Sequence, residues 1–228
     1  MIDRPVWQAL AAGWATRAER NGGAARLARR FGPFAALDPG ADPADMAALA
    51  EPGEVLWLVE PAPVTAPPGF AVTVTRPLLQ MLAGPLPPAP PCALAMEVLG
   101  DADAAEMQAL AALAAPGPFA SHTHEMGRFL GVRRDGRLLA MAGERMPPAG
   151  FGEVSGVCTH PDARGLGLAA ALSHAIAARI AARGDVPFLH CWPENTPAVT
   201  LYQRLGFTPA GQPWLTAIAR ETSSQTKL

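Results

Sequence analysis

Tyrosine and lysine are almost missing from this chain of 228 residues: each occurs once, as Tyr202 and Lys227. Charged residues make up only 17% and the formal net charge is −2, with no run of five basic side chains, so neither nucleic acid nor an anionic membrane is attracted electrostatically. The three cysteines, Cys92, Cys158 and Cys191, are odd in number and lack a CxxC or Cys-His spacing, which excludes a disulfide framework and a cysteine-based zinc site. No apolar run reaches the roughly 18 residues that a membrane span needs. The first twenty residues carry Asp3, Arg4, Arg17, Glu19 and Arg20 and do not read as a signal peptide. These absences predict a soluble protein of the reducing cytoplasm, and they do not choose between a monomer and a homodimer.

What is present is apolar bulk. Half of the residues are hydrophobic, 47 are alanine, and glycine and proline number 22 and 25, which suffices for a buried core in one large domain or two small ones. The sharpest break in composition is Gly84-Pro85-Leu86-Pro87-Pro88-Ala89-Pro90-Pro91. Five prolines in eight residues predict an extended spacer, dividing an N-terminal region, 1–83, from a C-terminal one, 92–220, with a flexible tail at 221–228. In the first region, Asp3 and Pro5 predict the start of a helix running to Arg20, followed by short helices at 24–31 and 43–50 and strands at 54–59 and 70–75. It shows no catalytic constellation, and Trp7, Trp14 and Trp57 read as core.

The C-terminal region has a tighter rhythm. A strand at 94–99 leads into a helix with a capping box at Asp103 and Glu106. Two strands then flank Asp135-Gly136, a turn that favours a two-residue hairpin. A strand at 152–159 runs into a glycine-rich turn and an amphipathic helix carrying Leu168, Leu172, Ile176 and Ile180.

That turn, Thr159-His160-Pro161-Asp162-Ala163-Arg164-Gly165-Leu166-Gly167-Leu168-Ala169, is the most informative segment. Glycines allow close backbone approach, and the free N–H groups and dipole of the following helix favour an anion. It lacks the Gly-Lys-Ser/Thr ending of a P-loop and is too short for a dinucleotide fingerprint. Further on, Asn195-Thr196-Pro197-Ala198-Val199-Thr200-Leu201-Tyr202-Gln203-Arg204-Leu205-Gly206-Phe207 places the lone tyrosine on a helix. By spacing, Tyr202 shares a face with Ala198, Leu201 and Leu205 and could simply pack, while Asn195 could simply cap.

Together the two segments resemble the GNAT superfamily of N-acetyltransferases. Arg164, Gly167 and Ala169 stand at its Arg/Gln-x-x-Gly-x-Gly/Ala motif. Asn195, Ala198, Leu201, Tyr202, Gly206 and Phe207 match its Asn-x-x-Ala-x-x-Leu-Tyr-x-x-x-Gly-Phe segment. The resemblance covers about residues 93–220 and implies an α/β fold with a mixed, mostly antiparallel sheet flanked by helices. It implies acetyl-CoA as acyl donor, a small-molecule or peptide amine as acceptor, and no metal. The coenzyme would be held by Val157, Cys158 and Thr159 through the pantetheine, by Arg164, Gly165, Leu166, Gly167, Leu168 and Ala169 through the phosphates, and by Asn195. Tyr202 would protonate the departing sulfur. Glu153, sharing a strand face with Ser155, Val157 and Thr159, would be the general base, with Glu144 second. The N-terminal region would be a separate α/β domain, one option being a degenerate copy of the same fold.

A non-catalytic acyl-CoA-binding domain and a longer acyl donor remain as alternatives. His122, His124 and Glu125 supply at most two metal ligands on one side and read as a solvated loop or a substrate contact. Cys158 and Cys191 read as small buried apolar residues.

Overall fold

The computed structural model describes residues 2–222. The N-terminal part contains α1 (Pro5–Ala11), β1 (Ala18–Asn21), β2 (Ala24–Leu27), β3 (Ala35–Leu37), a 3-10 helix at Pro43–Leu49, β4 (Val55–Glu60), β5 (Phe70–Pro77) and β6 (Leu79–Ala83). After the proline-rich segment come β7 (Met96–Leu99), α2 (Ala104–Ala114), β8 (Phe129–Arg134), β9 (Arg137–Glu144), β10 (Phe151–Thr159), α3 (Leu168–Ala182), β11 (Val186–Cys191), α4 (Thr196–Arg204), β12 (Phe207–Gly211) and β13 (Trp214–Arg220).

The strands form a central seven-stranded sheet, ordered β12-β6-β11-β10-β9-β8-β7, and two three-stranded sheets, β1-β2-β3 and β4-β13-β5. Within the central sheet only β10 and β11 run parallel. The β8–β9 hairpin turns at Asp135 and Gly136, whose φ angles of 54° and 78° are those a tight two-residue turn requires. Leu168, Leu172, Ile176 and Ile180 of α3 are all buried with Ala140, Ala142, Val154 and Leu189. Each such side chain contributes about 1.5–3 kcal/mol of apolar burial, so α3 is anchored by packing rather than by its own propensity. Met107 and Leu110 of α2 pack with Met141 and Cys158, whose side chains alternate onto the other face of the sheet.

The boundary expected at 84–91 does not separate independently built sheets. β6, from the N-terminal side, lies between β11 and β12, while β13, from the C-terminal side, pairs with both β4 and β5. Each half thus supplies a strand that satisfies the backbone groups of the other. The proline segment is not a free spacer either: the Pro87 carbonyl lies 2.8 Å from His174 Nε2, and Gly84 N–H donates to the Gly206 carbonyl at 3.0 Å.

Three expected helices change. α1 ends at Ala11, with Arg4 rather than Asp3 at its N-cap. Residues 24–27 are strand rather than helix, because all four are buried and both edges are paired, a tertiary demand that overrides alanine's helical preference. The helix near residue 43 is a 3-10 helix capped by Asp42. Asp103 accepts from Gly100 N–H at 2.9 Å, but Glu106 serves the hairpin instead of a cap, accepting from Leu138 N–H and pairing with Arg133. Of the expected tail, Glu221 N–H donates to the Gly69 carbonyl at 2.9 Å; residues 223–228 lie outside the described residues.

Candidate active site

β10 and β11 are paired only at Phe151–Val186, Gly152–Pro187 and Glu153–Phe188. Beyond that point they part around a cavity of about 370 Å³. One side of it is lined by Ser155, Gly156, Val157, Thr159, Ala169, Asn195, Ala198, Leu201 and Tyr202. A second groove, about 870 Å³, runs between the glycine turn, α4 and the proline segment, and its lining includes Pro87, Pro90, Arg164, Gly167, Thr200 and Arg204. Thr159, Ala169, Pro197 and Leu201 line both spaces, so the two meet at the end of β10.

The glycine turn is shaped as its sequence predicts. Gly165 and Gly167 have φ angles of 78° and 74°, and a Cβ built on either would project into open space. Gly167 is the N-cap of α3 and has no side-chain cap, and the first backbone bond back to it comes from Ala171. The earlier N–H groups of the helix are therefore available to an anion. Thr159 Oγ1 is buried with no hydrogen-bond partner, at the junction of the two spaces. An open cradle of amides, an orphaned hydroxyl and the cations Arg164 and Arg204 fit a long anionic ligand with a polar arm.

Residues 153–159 do not keep the expected alternation. Gly156 has φ +60° and the register against β9 shifts between Ser155 and Cys158, so β10 carries a bulge there. A Cβ on Gly156 would sit 2.8 Å from a ring carbon of Phe129. The bulge turns Ser155, Gly156 and Val157 in succession toward the cavity, while Cys158 is buried on the other face.

Glu153 therefore falls behind the cavity rather than in it. It is 1% exposed, and its carboxylate accepts from Arg145 Nε at 3.0 Å and lies 3.0 Å from His190 Nδ1. Burial alone would raise its pKa; the Arg145 charge and the His190 bond override this and hold the carboxyl down at about 2, against an ordinary 4.5. Ile2 N–H donates to Gln80 Oε1 at 2.6 Å, which turns Gln80 Nε2 toward His190 Nε2 at 3.1 Å. That ring nitrogen is then the acceptor, and Nδ1 carries the proton that faces Glu153. The chain Ile2–Gln80–His190–Glu153–Arg145 thus staples β6, β11 and β10 where the backbone ladder ends. Glu144 is also committed elsewhere, pairing with Arg179 at 3.1 Å and with Arg183 of the α3 C-terminus.

Tyr202 is 8% exposed, packs edge-on to Phe207 at 6.1 Å and lines the cavity beside Cys191. Burial, then the neighbouring sulfurs of Cys191 and Cys158, push its pKa well above the usual tyrosine range, so the hydroxyl keeps its proton. Burial likewise raises the thiols of Cys158 and Cys191, to about 12 and about 11, which leaves both un-ionised near neutral pH. Asn195 lines the cavity and also caps α4, its Oδ1 accepting from Ala198 N–H at 3.3 Å. His160 accepts from Asp162 N–H and caps the turn. Asp101, far away in sequence, joins His124 and Glu125, with one potential ligand atom from each lying within 4.8 Å of the others.

Other parts of the cavity lining carry no motif: Phe34, Trp57, Leu78, Arg145, Met146, Trp192 and Leu215 among them. They come from both halves of the chain, which is why no local pattern announces them.

A parallel pair of strands parting over a glycine-turned helix, in a mostly antiparallel sheet, defines the acyl-CoA N-acyltransferase fold. The comparisons agree. A family model of FR47-like proteins matches residues 129–215. A protein from Novosphingobium aromaticivorans, described as a putative acetyltransferase from the GNAT family, is 46% identical, over 96% of this chain and 98% of its own, with a TM-score of 0.90. This chain belongs to the GNAT family of acetyltransferases. A GCN5-related N-acetyltransferase from Kribbella flavida shares the fold at 21% identity, with coverages of 99% and 98% and a TM-score of 0.61. So does a GCN5-related N-acetyltransferase-like protein from Streptococcus suis, at 16% identity, coverages of 95% and 92% and a TM-score of 0.54. No curated protein matches the chain. Among the described residues no helix is long and apolar enough to cross a membrane.

Proposed function

We propose that this protein transfers the acetyl group of acetyl-CoA to a primary amine by direct attack within a ternary complex. The observation that carries the reading is the convergence of Tyr202, the bulged edge of β10 and the glycine turn on two connected spaces. The free amides from Gly165 to Ala169, with Arg164, hold the phosphates. Val157 and Thr159 offer backbone and hydroxyl contacts to the pantetheine arm, and Cys158 contributes backbone only. Asn195 both caps α4 and borders the arm.

In the transfer, the amine nitrogen bonds to the acetyl carbon as the carbon–sulfur bond breaks. A backbone amide of the β10 bulge polarises the carbonyl, and Tyr202 gives its proton to the departing sulfur. Glu153, expected as the base, is better suited to positioning: a buried carboxylate shared by Arg145 and His190 has little affinity for a further proton. The amine's proton is then relayed through water in the cavity back to Tyr202, which restores the phenol as the amide and the free thiol leave. The free thiols support a reducing compartment, which we read as the cytoplasm.

The test is release of free thiol from acetyl-CoA across a panel of primary amines. Acceptor-dependent release is expected; coenzyme binding without any acceptor-dependent release would leave an acyl-CoA-binding module instead.

A further inference from the structure

The part of the cavity left to the acceptor under that reading is apolar and aromatic, with Phe34, Trp57, Leu78, Met146, Trp192 and Leu215 in its wall. Among the described residues no aspartate or glutamate lines it, so the ammonium of a polyamine or an aminosugar meets no counter-charge there. The one charged residue in the lining is Arg145.

Arg145 is held in place and only partly consumed. Its backbone carbonyl accepts from Trp14 Nε1 at 2.9 Å, and its guanidinium lies 4.9 Å from the centre of the Phe34 ring. Nε and Nη2 donate to Glu153 at 3.0 and 3.3 Å, which occupies one edge of the fork. Nη1 has only a long contact, 3.5 Å, to the Pro118 carbonyl. A guanidinium carries five donors, so the edge toward Pro118 retains capacity for an oxyanion. Glu153 neutralises the cation enough for it to be kept at an apolar wall, yet lies behind it and out of the cavity.

We infer that the acceptor is an amine carrying both an apolar or aromatic body and a carboxylate, the chemistry of an apolar α-amino acid, with its carboxylate on Arg145 and its body against Trp57 and Trp192. This rests on the acetyl-transfer reading above, and the test separates the two. With saturating acetyl-CoA, phenylalanine should release thiol with kcat/KM at least about tenfold above phenethylamine, which lacks only the carboxylate, and putrescine should be poorer still. Independently of turnover, 3-phenylpropionate should bind the coenzyme-loaded protein, change its tryptophan fluorescence and compete with the amine, whereas 3-phenylpropanamide should not. Arg145→Lys, which keeps the charge but loses the fork, should shrink the preference for phenylalanine over phenethylamine.

Phenethylamine turned over as well as phenylalanine would overturn the inference and leave the transfer reading standing. Binding of 3-phenylpropionate without thiol release from any amine would overturn the transfer reading, and with it the acceptor role, and leave only a carboxylate site at Arg145. Failure of 3-phenylpropionate to bind, or its displacement by the acyl chain of octanoyl-CoA with faster turnover of that donor, would also overturn it, since the apolar wall would then serve the donor.

Discussion

The end of the cleft proposed for the coenzyme is made from two short stretches of chain, 154–169 and 195–205, joined by the proline segment, whereas the end proposed for the acceptor draws on residues from Phe34 to Leu215. The first end works largely through backbone: open amides at the α3 N-terminus, a bulge at Gly156, two glycines at positive φ. The second works through side chains, held by the buried staple of Gln80, His190, Glu153 and Arg145. A backbone site needs particular local conformations and so leaves a contiguous pattern of glycines; a side-chain site needs only that distant segments meet.

The staple gives the widest contrast. Glu153→Gln removes the buried partner of the half-buried Arg145, and breaking such a pair costs about 3 kcal/mol. Because the folded pKa of Glu153 lies near 2 and its ordinary value is 4.5, the wild type has this stability in full above about pH 4.5 and loses it as pH falls toward 2. Urea unfolding at a series of pH values should show the wild type losing stability over that interval and the variant, weaker at pH 7, losing less. Parallel curves would mean that the staple is no ion pair in solution.

Tyr202, where the two ends meet, comes next. Tyr202→Phe should lower kcat by about 10²-fold or more with coenzyme affinity nearly intact, as loss of a proton donor predicts. Unchanged turnover with the best amine of the panel would reduce Tyr202 to packing against Phe207. A smaller effect belongs to the turn: Gly167→Val forces a branched side chain into φ +74° and fills the space in front of the helix, so coenzyme Kd should rise about tenfold or more in a folded protein. Equal affinity would remove the phosphates from the α3 N-terminus.

The same division explains what could be foreseen. Residues 159–169 and 195–207 carry their geometry locally, so the turn and both helices are legible from spacing, whereas the role proposed for Tyr202 comes from the family resemblance. Glu153 departs from the place that strict alternation along 153–159 gives it because the strand is bulged, and the isolated Gly156 inside a strand is the sequence sign of that bulge. β6 has no signal because Leu78-Leu79-Gln80-Met81-Leu82 is a short apolar run with a single polar residue, and it becomes a strand only between β11 and β12. Arg145 and Trp192 had no signal at all, since their meaning depends on Phe34 and Trp57 arriving from the other half of the chain.

The acceptor wall has one support that lies entirely at the surface. Arg76 of β5 stacks on Trp192, with its guanidinium carbon 4.2 Å from the ring centre, and pairs with Glu194 while remaining 47% exposed. An exposed cation–π contact contributes about 0.5–1 kcal/mol and a surface ion pair adds little. Arg76→Ala should therefore raise the acceptor KM by no more than about fivefold, leaving kcat and coenzyme Kd unchanged. Steady-state kinetics at fixed, saturating acetyl-CoA would measure this. A much larger rise would mean that Trp192 depends on β5 for its orientation, and that the side-chain end of the cleft is set from its rim rather than by the buried staple beneath it.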